Sequence, residues 1–147
     1  MKKILVAVDR SAASLRAVDL ALDVVSKYGA DLILFAVVRS IPGVDPVLEQ
    51  YARSEHIRGA PTAVVIESAR QSLDTLCARA REKGAHAACA EVAVGEPADE
   101  ILAFARSTKP DLIVMGSRGH GRLTGLLLGS VVQKVTGLAS CPVLVVH

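Results

Sequence analysis

The stretch Asp111-Leu-Ile-Val-Met-Gly-Ser-Arg-Gly-His-Gly-Arg-Leu-Thr-Gly-Leu-Leu-Leu-Gly-Ser130 decides how the rest of the chain is read. It opens on an apolar run ending at Met115, of the kind that forms a strand buried on both faces. Glycines follow at 116, 119, 121, 125 and 129, and a helical pattern begins near Ser130. That combination suits an anion. Glycine lets backbone N–H groups approach without a Cβ in the way, and a helix N-terminus adds unpaired donors and the positive end of a dipole. Ser130 adds a hydroxyl, and Arg118, His120 and Arg122 add positive or protonatable groups. On these residues alone the stretch is also readable as a ligand-free surface loop.

On either side, four further apolar runs at 3–9, 31–38, 88–94 and 142–146 are compatible with buried strands. Between the runs the period becomes helical. Leu15, Val18, Leu22 and Val25 share one face of a helix starting near Ser11 and terminated at Gly29. Ile66, Ala69, Leu73, Leu76 and Ala80 repeat the pattern, with Thr62 as candidate N-cap and Gly84 near the end. Pro97 suits a first helical position; Asp99 and Glu100 fall in the first turn, and Ile101, Leu102 and Ala105 form a stripe closed by Pro110. Val131, Val135 and Leu138 mark a last helix. Strands alternating with helices imply an α/β fold with a parallel sheet and right-handed crossovers.

A length of 147 residues fits one domain, 1–147, and 51% hydrophobic residues allow a full core. Only 3% are aromatic, so that core is aliphatic. The net charge of +2 is spread without blocks, which argues against a nucleic-acid arm or an anionic-membrane patch. Cys77, Cys89 and Cys141 are odd in number and far apart, which favours reduced thiols in a cytoplasmic protein over disulfides or a zinc site. No apolar stretch approaches the length of a membrane span. The least regular segment, 40–61, holds three of the six prolines and two glycines, and reads as a long loop, either a lid or a simple excursion.

Two familiar phosphate loops fail. A Walker A loop, G-x-x-x-x-G-K-S/T, would begin at Gly116 and Gly121, but Arg122 and Leu123 stand where the lysine and hydroxyl are needed. The dinucleotide fingerprint follows a first strand, and here that strand leads into Asp9-Arg-Ser-Ala12 with no glycine. A Ser-Gly-Gly-x-Asp-Ser-like loop of adenylating enzymes is missing too, since Asp9-Arg-Ser-Ala-Ala-Ser14 has serines without glycines.

Gly116, Gly119 and Gly129-Ser130 do match G-x2-G-x9-G-S/T, and in this the chain resembles the ATP-binding branch of the universal stress protein family. The likeness runs along nearly the whole chain, through Lys3 to Ser11, Val94-Gly95-Glu-Pro97, Asp111 to Gly119 and Cys141 to Val146. It implies a Rossmann-like three-layer sandwich whose five-stranded parallel sheet has the order 3-2-1-4-5. Strand ends 1 and 4 then flank the topological switch point where such sheets bind ligands.

The resemblance further implies that Asp9 sits beside an adenine, with Ala7 and Val8 supplying backbone. Val37 and Met115 would line the base pocket, although plain core packing would explain both equally well. Gly116, Gly119, Gly129, Ser130 and Val131 would take ribose and phosphates. The family often has proline where Ala7 stands. The implied ligand is ATP, or ADP or AMP, with Mg2+ or Mn2+ held mainly through the phosphates. The implied assembly is a homodimer through the C-terminal strand, with an unknown protein partner. The glycine-rich stretch lacks Asp and Glu, so the expected activity is at most that of a slow ATPase, with no assigned catalytic residue or protein metal ligand.

Overall fold

The computed structural model describes residues 1–39, 61–85, 87–118 and 128–147. Nine elements alternate: β1 (Lys3–Ala7), α1 (Ala12–Tyr28), β2 (Asp31–Val38), α2 (Pro61–Glu82), β3 (Ala88–Val94), α3 (Pro97–Thr108), β4 (Leu112–Gly116), α4 (Ser130–Leu138) and β5 (Val143–Val146). All pairings are parallel and the sheet order is β3-β2-β1-β4-β5. The order anticipated from the family likeness is the one observed.

Alternation along the strands splits the core into two layers. Ile4, Val6, Leu32, Leu34 and Val114 face α1 and α2, with Val18, Leu22, Leu73 and Cys77 packed against them. Leu5, Ile33, Phe35, Ile113 and Met115 face α3 and α4, where Ile101, Leu102, Val132 and Val135 meet them. Ile4, Leu5, Leu34 and Ile113 are completely buried, each worth about 1.5–3 kcal/mol of hydrophobic stabilisation. Phe35 and Phe104 stack with ring centroids 4.3 Å apart.

Helix ends follow the signals in the residues. Ser11 caps α1, its hydroxyl accepting the Ser14 N–H at 3.2 Å, and Gly29 ends that helix with φ 62° and its N–H on the Val25 carbonyl. Pro97 starts α3, Asp99 and Glu100 occupy its first turn, and Lys109 closes it in the left-handed region.

Three expectations are corrected. Leu15 is 44% exposed; the buried stripe of α1 runs through Ser14, Ala17, Val18, Ala21, Leu22 and Val25. Thr62 is no cap, because α2 already starts at Pro61 and Thr62 is buried within it. Leu138 is 65% exposed, and α4 buries Val132 and Val135 instead. In the first case the small neighbour one position away, Ser14, took the core-facing place.

At the foot of the sheet, the carboxylate of Asp111 accepts the N–H groups of Lys2 and Lys3 at 2.6 and 3.0 Å. The Lys3 ammonium donates to the Thr108 carbonyl at 2.8 Å. The start of β1 is thereby fastened to the approach to β4, at the end of the sheet opposite the crevice.

Candidate functional site

Parallel strands deliver their carboxyl ends to one side of the sheet, and the connections after β1 and β4 part there because α1 and α4 pack on opposite faces. The gap between them is a crevice of about 800 Å3. Ala7, Val8, Asp9, Val37, Met115, Gly116, Gly129, Ser130 and Val131 all line it. Gly119 lies outside the described residues, as do His120, Arg122 and the segment 40–60.

The turn after β1 is held by a short network. The Asp9 N–H donates to Ser14 Oγ at 3.1 Å, and Asp9 Oδ1 accepts the Ser11 N–H at 2.9 Å. The Ser11 hydroxyl donates to the Arg118 carbonyl at 3.2 Å, which ties the turn to the end of β4. Ser14 is 2% exposed, so Asp9 is positioned from beneath by a buried hydroxyl. The Asp9, Ser11 and Ser14 spacing was the available signal for this network, since Ser11 is a natural N-cap and Ser14 falls at its third helical position.

The opposite wall starts at Gly116. A Cβ there would lie 2.6 Å from the Ser14 nitrogen and 2.7 Å from the Ala13 carbonyl carbon, so glycine is what lets α1 close on β4. Ser117 is buried; its carbonyl accepts the Gly129 N–H at 2.9 Å, which sets the start of α4 beside the end of β4. Gly129 caps α4 with φ −69° and without a side-chain bond. The helix's backbone bonding begins with the Gln133 N–H on the Gly129 carbonyl. The first N–H groups of α4 therefore have no partner inside the helix and open on the crevice.

Side chains not foreseen as part of a site complete the lining. Val65, Ala69, Ser72 and Leu73 form a wall from α2, with Pro97 and Ile101 of α3 opposite. Their helical spacing was legible, yet periodicity does not say which buried residues border a cavity. Arg10, Arg39 and Arg118 also border the crevice. Arg39 donates to both carboxylate oxygens of Glu96, at 3.1 and 2.9 Å, joining the end of β2 to the start of α3. That pair is solvent-exposed and contributes about 0–1 kcal/mol. Asp9 is the sole carboxylate among the described lining residues. Among the described residues no group of three or more His, Cys, Asp or Glu could hold a metal ion.

An open parallel sheet with a crevice at its switch point, floored by apolar strand ends and flanked by a helix N-terminus, defines a doubly wound α/β protein, and the crevice lies where sheets of this kind take ligands. The comparisons with known proteins narrow this to one family. The model of the universal stress protein family matches residues 1–147, and the chain belongs to that family. Universal stress protein YxiE of Bacillus subtilis is 37% identical over 152 residues, covering 99% of this chain and 98% of its own. The structure of universal stress protein UspA from Lactobacillus plantarum superposes with a TM-score of 0.75 at 27% identity, covering 99% of this chain and 97% of its own. A universal stress protein crystallised in complex with cAMP gives a TM-score of 0.68 at 28% identity, with the same coverage of both chains. Among the described residues, no helix is long and apolar enough to cross a membrane.

Proposed function

We propose that this chain binds an adenine nucleotide, ATP or ADP foremost, in the crevice between β1 and β4, and acts as a nucleotide-dependent regulator in a stress response. Gly129 carries the reading. Its φ of −69° is open to any residue, and a Cβ there would come no closer than 3.6 Å to atoms of the described residues. Nothing among the described residues therefore calls for glycine at this helix cap, whereas a phosphate resting on the N–H groups of Ser130 and Val131 needs the space. The apolar strand ends at Ala7, Val8, Val37 and Met115, with the anchored Asp9, suit a base that wants a narrow slot and a few fixed hydrogen bonds. The relative in complex with cAMP supports an adenine nucleotide as the ligand class.

Mg2+ or Mn2+ would be held chiefly by the phosphates, with Asp9 the one carboxylate among the described lining residues. Phosphoryl transfer requires several positioned metal ligands and an oriented nucleophile, and the one carboxylate among the described lining residues does not supply them. Binding with slow or no hydrolysis follows. Mass spectrometry of the supernatant from denatured protein, followed by titration with ATP and magnesium, tests the reading. ATP or ADP near one per chain is expected. Protein that emerges empty and takes up no added nucleotide would overturn it.

We further propose that two copies pair through β5, which lies at the edge of the sheet with Val143 to Val146 only half-buried. An apolar edge strand invites a partner. Light scattering at micromolar concentration should give a dimer; a monomer would contradict this pairing.

A further inference from the structure

We propose that Arg10 sets the phosphate preference of the crevice, favouring a nucleoside di- or triphosphate over a monophosphate; this rests on the crevice being the nucleotide site. Arg10 lies in the turn from β1 to α1 and lines the crevice. Its φ is 65°, in the left-handed region that L side chains other than Asn and Asp avoid. Glycine would hold the same turn without strain, so the backbone does not call for arginine.

Nor does packing. The side chain is exposed, and its Nη1 meets Ser68 Oγ of α2 at 3.5 Å, the outer limit of a hydrogen bond to a neutral acceptor. Other cations of the fold are better served: Arg39 pairs with Glu96 at 2.9 Å, and Arg79 with Asp19 and Lys134 with Asp99 at 2.6 Å. Arg10 has no such ion pair among the described residues. A strained backbone that carries a loosely parked guanidinium at a cavity wall is unexplained by folding and explained by a ligand.

Charge selects the phosphate end, because a guanidinium pairs with phosphate oxygens and gains little from an uncharged base. Ser11, the next residue, donates to the Arg118 carbonyl, and the adjoining Ser117 carbonyl holds the Gly129 N–H. The Arg10 turn is thus joined by hydrogen bonds to the cap of α4. A single phosphate would be satisfied by the backbone donors at that cap. Further phosphates extend beyond it, and there the paired N–H donors of a guanidinium outcompete the Ser68 hydroxyl as its partner.

Calorimetric titration of ATP, ADP and AMP into wild type, Arg10→Gly and Arg10→Lys tests this. Arg10→Gly should weaken ATP by about tenfold or more and AMP by about threefold or less, with Arg10→Lys between. The glycine variant should not lower the thermal midpoint without nucleotide, since it relieves the turn. Should it fail to fold, the ATP-to-AMP ratio of Arg10→Lys decides, because that variant keeps the wild-type backbone demand. Equal losses for ATP and AMP, or no loss for either, overturn the role of Arg10 while leaving the nucleotide site intact. A wild-type protein that binds none of the three overturns both.

Discussion

At Gly116 the missing side chain serves the fold, and at Gly129 it leaves space on the crevice wall. The Gly116 position abuts the backbone of Ala13 and Ser14, which cannot retreat without moving the start of α1. Gly116→Ala should therefore cost about 1–3 kcal/mol of stability, measured as a lower urea midpoint. Among the described residues Gly129→Ala meets only ordinary contacts, at 3.6 Å to the Ser117 carbonyl oxygen and 3.7 Å to Arg118 Cα. Its stability should stay within about 1 kcal/mol of wild type while ATP affinity falls about tenfold or more. A stable Gly129→Ala protein with undiminished ATP affinity would break the link between that space and a phosphate. Both glycines stood out in the sequence through their spacing, but the spacing could not separate these roles. For Ser14 the spacing after Asp9 and Ser11 was the one signal, and it did not reveal the burial beneath the Asp9 N–H that gives the hydroxyl its importance.

Among the elements, strands and helix order were legible because each strand is a compact apolar run and each helix keeps its period. Boundaries were less so. The run at 3–9 shortens to Lys3–Ala7, since Asp9 and Arg10 belong to the turn that turns away from the sheet. The face of α1 was misread by about one position for a physical reason. Apolar periodicity weights Leu15 heavily and passes over Ser14, Ala17 and Ala21, yet α1 lies so close to β4 that small residues belong on its inner side. Leu15 is left at the solvent edge of the stripe. Leu138 is a different case: it is the last residue of α4 and lies exposed beyond the buried pair Val132 and Val135. The α2 wall of the crevice was hidden differently. Ala69 and Leu73 fit a core stripe, and only the assembled sheet shows that the upper part of that stripe borders open space.

At the scale of the whole molecule, the sheet separates two functions of charge. The crevice end collects Asp9, Arg10, Arg39 and Arg118, while the foot is held by Asp111. The Asp111 carboxyl is pulled below its ordinary value of 3.8, first by the Lys2 N–H, then by the Lys3 N–H, with the N-terminal ammonium and the Lys2 charge adding to them. A carboxyl lowered in the folded state favours folding when ionised. That contribution is present above the unfolded value and is lost as pH falls through the folded one. Asp111→Asn keeps an oxygen acceptor but removes the charge. It should lower the thermal midpoint at neutral pH, and the gap to wild type should close as pH drops below 3.8. The clamp is at the surface and screened by solvent, so the gap should also shrink with added salt. ATP affinity at neutral pH should be untouched, because Asp111 lies at the far end of β4 from Gly116. Thermal unfolding of both proteins across the acid range, with one titration of ATP at neutral pH, reads all of this. A gap that persists unchanged into strong acid would mean that Asp111 holds β1 by shape rather than by charge.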